Sequence, residues 1–180
     1  SGPIVLARTE HADILFLPRH GIGHRIPPSA INVRANICAL KTLGATHVLS
    51  VSAVGSLRGS IEPGHLVAVN QIIDRTVRRA STFFDEPGVT AHVGFADPVC
   101  PSLRTALITA VREGAPDAVL QPQGTIVVIE GPRFSTRAES EQYRSMGADV
   151  IGMNAMPEAA LCREAELPYA LLALSTDYDC

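Results

Sequence analysis

The chain has 180 residues, 46% of them hydrophobic, 18% charged and 4% aromatic, with a formal net charge of −3. That length and composition can bury one substantial core, so a single domain over residues 1–180 is expected, without the basic, aromatic-rich face that nucleic acid requires. No apolar run approaches the roughly 20 residues that cross a bilayer, and the first residues lack a signal peptide's charged-then-apolar layout, so a cytoplasmic protein with no membrane partner is the simplest reading.

Taken in order, residues 12–18 read as a strand running into Arg19-His20-Gly21. Residues 29–43 read as a helix with Ile31, Ala35, Cys38 and Leu43 near one face, Ser29 as cap and Gly44 as stop. A buried strand over 47–54 follows, leading into Ser52-Ala53-Val54-Gly55-Ser56, and 66–69 with 72–73 continue the sheet. Residues 75–98 form a long stretch punctuated by Gly and Pro, the pattern of a functional excursion. Residues 101–113 read as a helix with an apolar stripe of Leu103, Ala106, Leu107, Ala110 and Val111, and 125–130 as a strand. Thr136 and Glu139 match a capping box for a helix ending near 146–147. The run of strand 148–153, helix 157–167 and strand 169–176 implies parallel pairing through a right-handed crossover. The class is α/β.

Four cysteines, at 38, 100, 162 and 180, are irregularly spaced and form no zinc-ligand pattern, so reduced thiols are expected, with Cys38 and Cys162 as small buried hydrophobes. Chemistry concentrates where apolar runs end. Four runs finish in polar groups: Arg19-His20, Ser52 to Ser56, Met153-Asn154, and Asp177 with Asp179. In open α/β sheets ligands bind outside the carboxyl ends of strands, so these exits are expected to share one rim.

Asp177 and Asp179 alternate along an extended backbone and project to one side. Carboxyls that close titrate as a pair, and a pair keeping one proton accepts one hydrogen bond and donates another, the complement of adenine's amino and N7 edge. Arg19 and His20 offer a guanidinium fork and an imidazole suited to a phosphate dianion. His20, His24, Asp177 and Asp179 could instead hold a metal. Gly21 and Gly23 argue against the helix that would bring the two imidazoles together, so no metal is expected.

The segments Phe-Leu-Pro-Arg-His-Gly-Ile-Gly-His at 16–24, Ser-Ala-Val-Gly-Ser-Leu at 52–57, Ile-Asp-Arg-Thr at 73–76, Glu-Gly-Pro-Arg-Phe-Ser-Thr-Arg-Ala-Glu-Ser at 130–140, Gly-Ala-Asp-Val-Ile-Gly-Met at 147–153 and Thr-Asp-Tyr-Asp-Cys at 176–180 resemble the purine nucleoside phosphorylases. Within that family they are similar to the branch acting on S-methyl-5′-thioadenosine. The resemblance implies a mixed, largely parallel twisted sheet flanked by helices. It implies phosphorolysis to adenine and 5-methylthioribose 1-phosphate, with inorganic phosphate as co-substrate and no cofactor.

The resemblance also assigns roles. Arg19, His20, Ser52, Ala53 and Asn154 match phosphate contacts, although the family usually carries threonine at the positions of Ser52 and Asn154. Phe134 matches the residue stacking on the purine and Ser135 a position tied to base preference. Met153 matches the residue under the sugar, and Ala53 and Gly55 line the base. Asp177, supported by Asp179, matches the group that engages N7 and the 6-amino group, where relatives selective for 6-oxopurines carry asparagine. His92 matches a residue that reaches the neighbouring subunit's substrate, which implies a homotrimer. Family members carry a strand and a Gly-rich loop ahead of the first matched residue and a helical segment past the last, so a fragment is expected. A 6-oxopurine or general purine phosphorylase, a water-using nucleosidase and a purine-binding module without turnover are the other readings.

Overall fold

Runs of Val, Ile, Leu and Ala alternate with helical segments, and in the computed structural model, which describes residues 1–180, they form nine strands and four α-helices. In chain order these are β1 (Val5–Arg8), β2 (Asp13–Phe16), α1 (Val33–Thr42), β3 (Val48–Ser56), β4 (Leu66–Ala68), β5 (Gln71–Asp74), α2 (Pro101–Gly114), β6 (Leu120–Gln121), β7 (Thr125–Val128), α3 (Arg137–Ser145), β8 (Val150–Gly152), α4 (Glu158–Glu164) and β9 (Tyr169–Tyr178). Seven strands make one sheet in the order β5-β7-β8-β3-β9-β4-β6. The pairs β5–β7, β7–β8, β3–β9 and β4–β6 are parallel, whereas β3–β8 and β4–β9 are antiparallel. The sheet is therefore mixed and largely parallel, as expected.

Two expectations about topology fail. The β8-α4-β9 unit is not a parallel crossover, because β3 lies between the two strands and runs antiparallel to β8. Length decides this. β8 has three residues, whereas β9 pairs with β3 from Val48 to Ser56 and gains a much longer ladder there. Nor do the four polar strand ends share a rim: β8 exits opposite to β3 and β9, and β2 pairs only with β1 in a separate antiparallel sheet.

The pleat sends alternate residues to opposite faces, and each face has its own core. Val54, Ile126, Val128 and Val150 point to one side and join Ile37 and Leu40 of α1 and Leu161 and Cys162 of α4. Val127 and Ile151 point to the other and join Leu57, Ile129 and Tyr143 of α3. Beyond α3 that second face is open over β3 and β9, where Leu49, Val51 and Leu174 are exposed.

Helix α1 starts later than expected. A 3₁₀ turn takes Pro28–Ala30, and Asn32 rather than Ser29 caps the helix, its side-chain oxygen accepting from the Ala35 amide at 3.0 Å. The buried stripe becomes Val33, Asn36, Ile37 and Leu40, which leaves Cys38 exposed. Cys162 is buried as expected, and burial with the nearby Glu158 carboxylate pushes its thiol up to about 12. On α2 only part of the expected stripe is half-covered: Leu103, Leu107 and Val111 are, while Ala106 and Ala110 are exposed. No helix is long and apolar enough to cross a membrane.

Helix α3 opens with the expected capping box. The Glu139 amide donates to Thr136 Oγ1 at 3.2 Å, and the Thr136 amide donates to Glu139 Oε2 at 2.7 Å. Hydrogen bonds from Arg133, added to those of the cap, hold the Glu139 carboxyl down at about 2. Removing the cap oxygen with Thr136→Ala is expected to cost about 1 kcal/mol. A urea-unfolding midpoint unchanged in the variant would show that the box contributes nothing.

Candidate active site

The open edge of β3 creates the site. β8 pairs with β3 only at Gly55↔Ile151 and Ser56↔Val150, so past Gly152 the chain parts from β3 and leaves the strand's edge from Val48 to Val54 without a ladder partner on that side. Met153 and Asn154, next in line, point to opposite faces of this slot. Asn154 turns to the α1–α4 side, where its Nδ2 donates to Ser52 Oγ at 2.7 Å. Met153 turns to the α3 side and packs on Gly131.

Gly131 has φ +70°, a left-handed conformation that favours glycine, and its bare Cα lets the Met153 sulfur lie where a Cβ would otherwise displace it.

At the Ser52 end the groups are cationic and amide. Arg19 donates through Nη1 to Asn154 Oδ1 and ion-pairs through Nη2 with Glu158, both side chains being largely buried. The guanidinium thus arrives from outside the main sheet, carried by the loop after β2. His20 Nδ1 lies 2.8 Å from the Ile26 carbonyl, which fixes that nitrogen as the donor and leaves Nε2 as the acceptor of the neutral ring. His24 stacks on His20 with centroids 4.1 Å apart. Burial first, and then the charges of Arg19 and His24, lower the His20 pKa below 6.5 despite the opposing backbone bond to Ile26 and the Glu158 charge.

At the Gly55 end the groups are acidic. A Cβ on Gly55 would lie 3.3 Å from Asp177 Oδ1 and 3.2 Å from Asp179 Cβ, so the two aspartates flank this glycine on one side, as their alternation implied. Each has its own hydroxyl partner: Ser140 Oγ donates to Asp179 Oδ2, and Thr176 Oγ1 lies 3.5 Å from Asp177 Oδ1. Ser52 and Gly55 are three residues apart, about 10 Å of strand. Ser52 and Asn154 face the α1–α4 side and the Gly55 end faces the α3 side with Ile151, so the cationic and acidic groups are three residues apart along β3 and on opposite faces of it. Ser52 lies in mid-strand, whereas Gly55 and Asp177 are paired next to the last residues of β3 and β9.

Other expected residues distribute unevenly. Phe134 is 77% exposed on the loop after Gly131-Pro132 and packs into no core. Ser135 has a buried Oγ without a partner, and its carbonyl is 4.0 Å from Cys180 Sγ, next to the Ser140–Asp179 pair. Ala53 is exposed on the strand face opposite Ser52. His92 is exposed in the segment between β5 and α2. A cavity of about 320 Å³ adjoins Ser135 and Gly131 but is lined also by Arg75, Arg78, Arg133 and Tyr143, and it reaches neither Arg19 nor Asp177. The two histidines and two aspartates lie at different ends of the slot and do not gather round a metal.

The phosphorylase superfamily model matches residues 2–180. The chain belongs to the phosphorylase superfamily. An S-methyl-5′-thioadenosine phosphorylase of Geobacter sulfurreducens is 55% identical over 168 residues, covering 93% of this chain and 58% of the relative. A 6-oxopurine nucleoside phosphorylase of Pyrococcus furiosus is 50% identical over 173 residues, covering 92% of this chain and 64% of the relative. Among solved structures, the methylthioadenosine phosphorylase from Schistosoma mansoni in complex with tubercidin superposes with a TM-score of 0.96 at 40% identity, covering 100% of this chain and 70% of the other. This superfamily chain spans about 58% of the length of the Geobacter relative it matches.

Three supporting residues escaped the sequence reading. Glu158, Ser140 and Arg144 hold Arg19, the Asp179 side chain and the Asp179 backbone, the last through Nη2 to the Asp179 carbonyl at 2.6 Å. Only Ser140 left a trace, since the capping box places it one turn into α3, where it is fully buried.

The folded His20 pKa lies below the ordinary value, so its contribution to stability is complete above pH 6.5 and lost as pH falls below that. In a proton NMR titration His20 is expected to show a midpoint under 6.5 that rises in His24→Ala. A midpoint at or above 6.5 in the wild type contradicts the burial described.

Proposed function

We propose that the protein cleaves S-methyl-5′-thioadenosine by phosphorolysis, releasing adenine and 5-methylthioribose 1-phosphate. One observation carries the reading: the cationic and amide groups around Ser52 and the two carboxylates beside Gly55 are borne within three residues of one strand, about 10 Å of backbone, on a scale that a nucleoside and phosphate can span. The names of several relatives near 50% identity support it.

Phosphate is held at the Ser52 end by Arg19, His20, Ser52, Asn154 and the backbone near Ala53. A phosphate oxygen forms the new bond to C1′ while the bond from C1′ to N9 breaks, and its electron pair passes into the purine ring. Between the two, the sugar carries oxocarbenium character, which the phosphate charge stabilises. Asp177 engages N7 and the 6-amino group, with Asp179 oriented by Ser140 and Arg144 as its support. Hydrogen bonding or proton delivery at N7 stabilises the departing base. Met153 packs under the ribose, Phe134 stacks on the purine, and Gly55 and Ser135 border the base. Phosphate is the co-substrate and no cofactor takes part. His92 completes a neighbour's 5′-pocket in a cytoplasmic homotrimer, a role with which its exposure agrees.

Base choice falls to Asp177, because overall similarity is comparable to relatives named for either purine class. Two carboxylates match the donors of a 6-aminopurine, and a 6-oxo group facing them sets acceptor against acceptor, at about 1–3 kcal/mol for each group that the bound purine closes off from water. The ground-state bonds of Asn154 matter as well. They tie Arg19 to Ser52, so phosphate must break them to enter.

Adenine release from methylthioadenosine, followed by chromatography, is expected to require phosphate. Release at the same rate in phosphate-free buffer would point to a nucleosidase, and adenine binding without any release to a binding module. Asp177→Asn is expected to depress adenine release by orders of magnitude and to shift preference toward methylthioinosine; equal use of both bases by the wild type would remove the role given to the pair. Asn154→Thr, which cannot span Arg19 and Ser52 in the same way but keeps a hydroxyl for phosphate, is expected to lower the phosphate KM severalfold; a raised KM would show that the contact Asn154 gives phosphate outweighs the bonds broken to admit it.

A further inference from the structure

The two walls of the slot belong to different loops, and one side chain joins them. Arg79 follows β5 on the segment 75–100 and is 4% exposed. An arginine has five N–H donors in a rigid fork, and here all five are engaged. Nη1 donates to the carbonyls of Met153 at 2.7 Å and Met156 at 2.6 Å; Nη2 donates to those of Ile129 at 3.2 Å and Glu130 at 2.7 Å; Nε donates to Glu130 Oε1 at 3.2 Å. The other carboxylate oxygen of Glu130 accepts from the amides of Val77 at 2.7 Å and Arg78 at 3.0 Å. Burial pushes Glu130 up, but these three donors outweigh it and hold the carboxyl below its usual range.

The acceptors are informative. Ile129 and Glu130 immediately precede Gly131, which opens the loop bearing Phe134 and Ser135. Met153 and Met156 bracket Asn154. Where the two loops touch, the Met153 side chain lies on Gly131 with no room for a Cβ between them. With every N–H already used inside the protein, Arg79 has none to offer a ligand.

We infer that Arg79 is a positioning residue that sets the gap between the base wall at Gly131–Ser135 and the sugar and phosphate wall at Met153–Asn154, and thereby couples purine binding to anion binding. The inference rests on the function proposed above. Four carbonyls turned toward one point repel one another unless a cation with matching geometry stands between them. A lysine brings the charge but only three donors on a single point, so it leaves at least two of the five acceptors unpaired.

The test uses the full chain and its Arg79→Lys variant, with adenine and inorganic phosphate titrated separately and together by calorimetry and methylthioadenosine turnover measured alongside. Arg79→Lys is expected to remain folded, to bind adenine at least tenfold more weakly, to lose the tightening of adenine binding by phosphate, and to turn over about a hundredfold more slowly, the cost of a displacement near 1 Å. Arg34→Lys, on the surface pair with Asp85, serves as control and is expected to match the wild type. If Arg79→Lys does not fold, Arg79→Ala with added guanidinium replaces it, and regained adenine affinity together with regained phosphate coupling supports the assignment. Restored melting temperature without restored binding overturns it, as does an Arg79→Lys protein with wild-type affinity, coupling and turnover. A wild-type chain that binds neither adenine nor phosphate overturns the functional reading and this inference with it, whereas binding of both with no effect at Arg79 overturns this inference alone.

Discussion

The two-residue ladder between β3 and β8 governs the arrangement of everything around it. Had β8 paired along the full length of β3, the strand edge from Val48 to Val54 would be sealed and no slot would separate Met153 and Asn154 from Ser52. The short ladder follows from the antiparallel crossing, because β8 enters opposite the end of β3 and leaves after three residues. The chain then turns through Ala155, at φ +77°, into α4.

Charge is arranged along that edge with a gradient. Arg19 and its partner Glu158 sit at one end, in surroundings buried enough to leave Arg19 Nε and Glu158 Oε2 without hydrogen-bond partners. The Tyr169 hydroxyl nearby is also buried and unpartnered, and burial together with Glu158 pushes it up. Such a cluster is costly unless an incoming group completes it. At the other end Asp179 is held on both its side chain and its backbone, while Asp177 remains exposed and has the freer carboxylate.

Elements written in local pattern could be read directly. The capping box of α3, the helix at 101–114 and the strand cores around Ile126 and Leu171 depend on contacts within a turn or within one strand's alternation. Three misreadings share a different origin. The Asn32 cap displaced the expected start at Ser29 because a proline-led 3₁₀ turn took the preceding residues, and the buried face rotated away from Cys38 as a result. The assumed parallel crossover of β8 and β9 failed because β3 offered β9 a longer ladder. Glu158, Arg144 and Arg79 were passed over because charged residues on a helix or loop look like solvated surface until a partner from another element is known.

The sequence alone was sufficient to establish the α/β class and the family and to single out candidate site residues, since residue type and close spacing are local properties. Tertiary structure decided where those residues meet. Strand order and direction replaced a shared rim with a slot beside β3, brought Arg19 in from a separate two-stranded sheet, and gathered four carbonyls from two loops around Arg79. The physical reason is that strand pairing is won by the longest compatible ladder in the whole chain, a comparison between distant segments that no local pattern records.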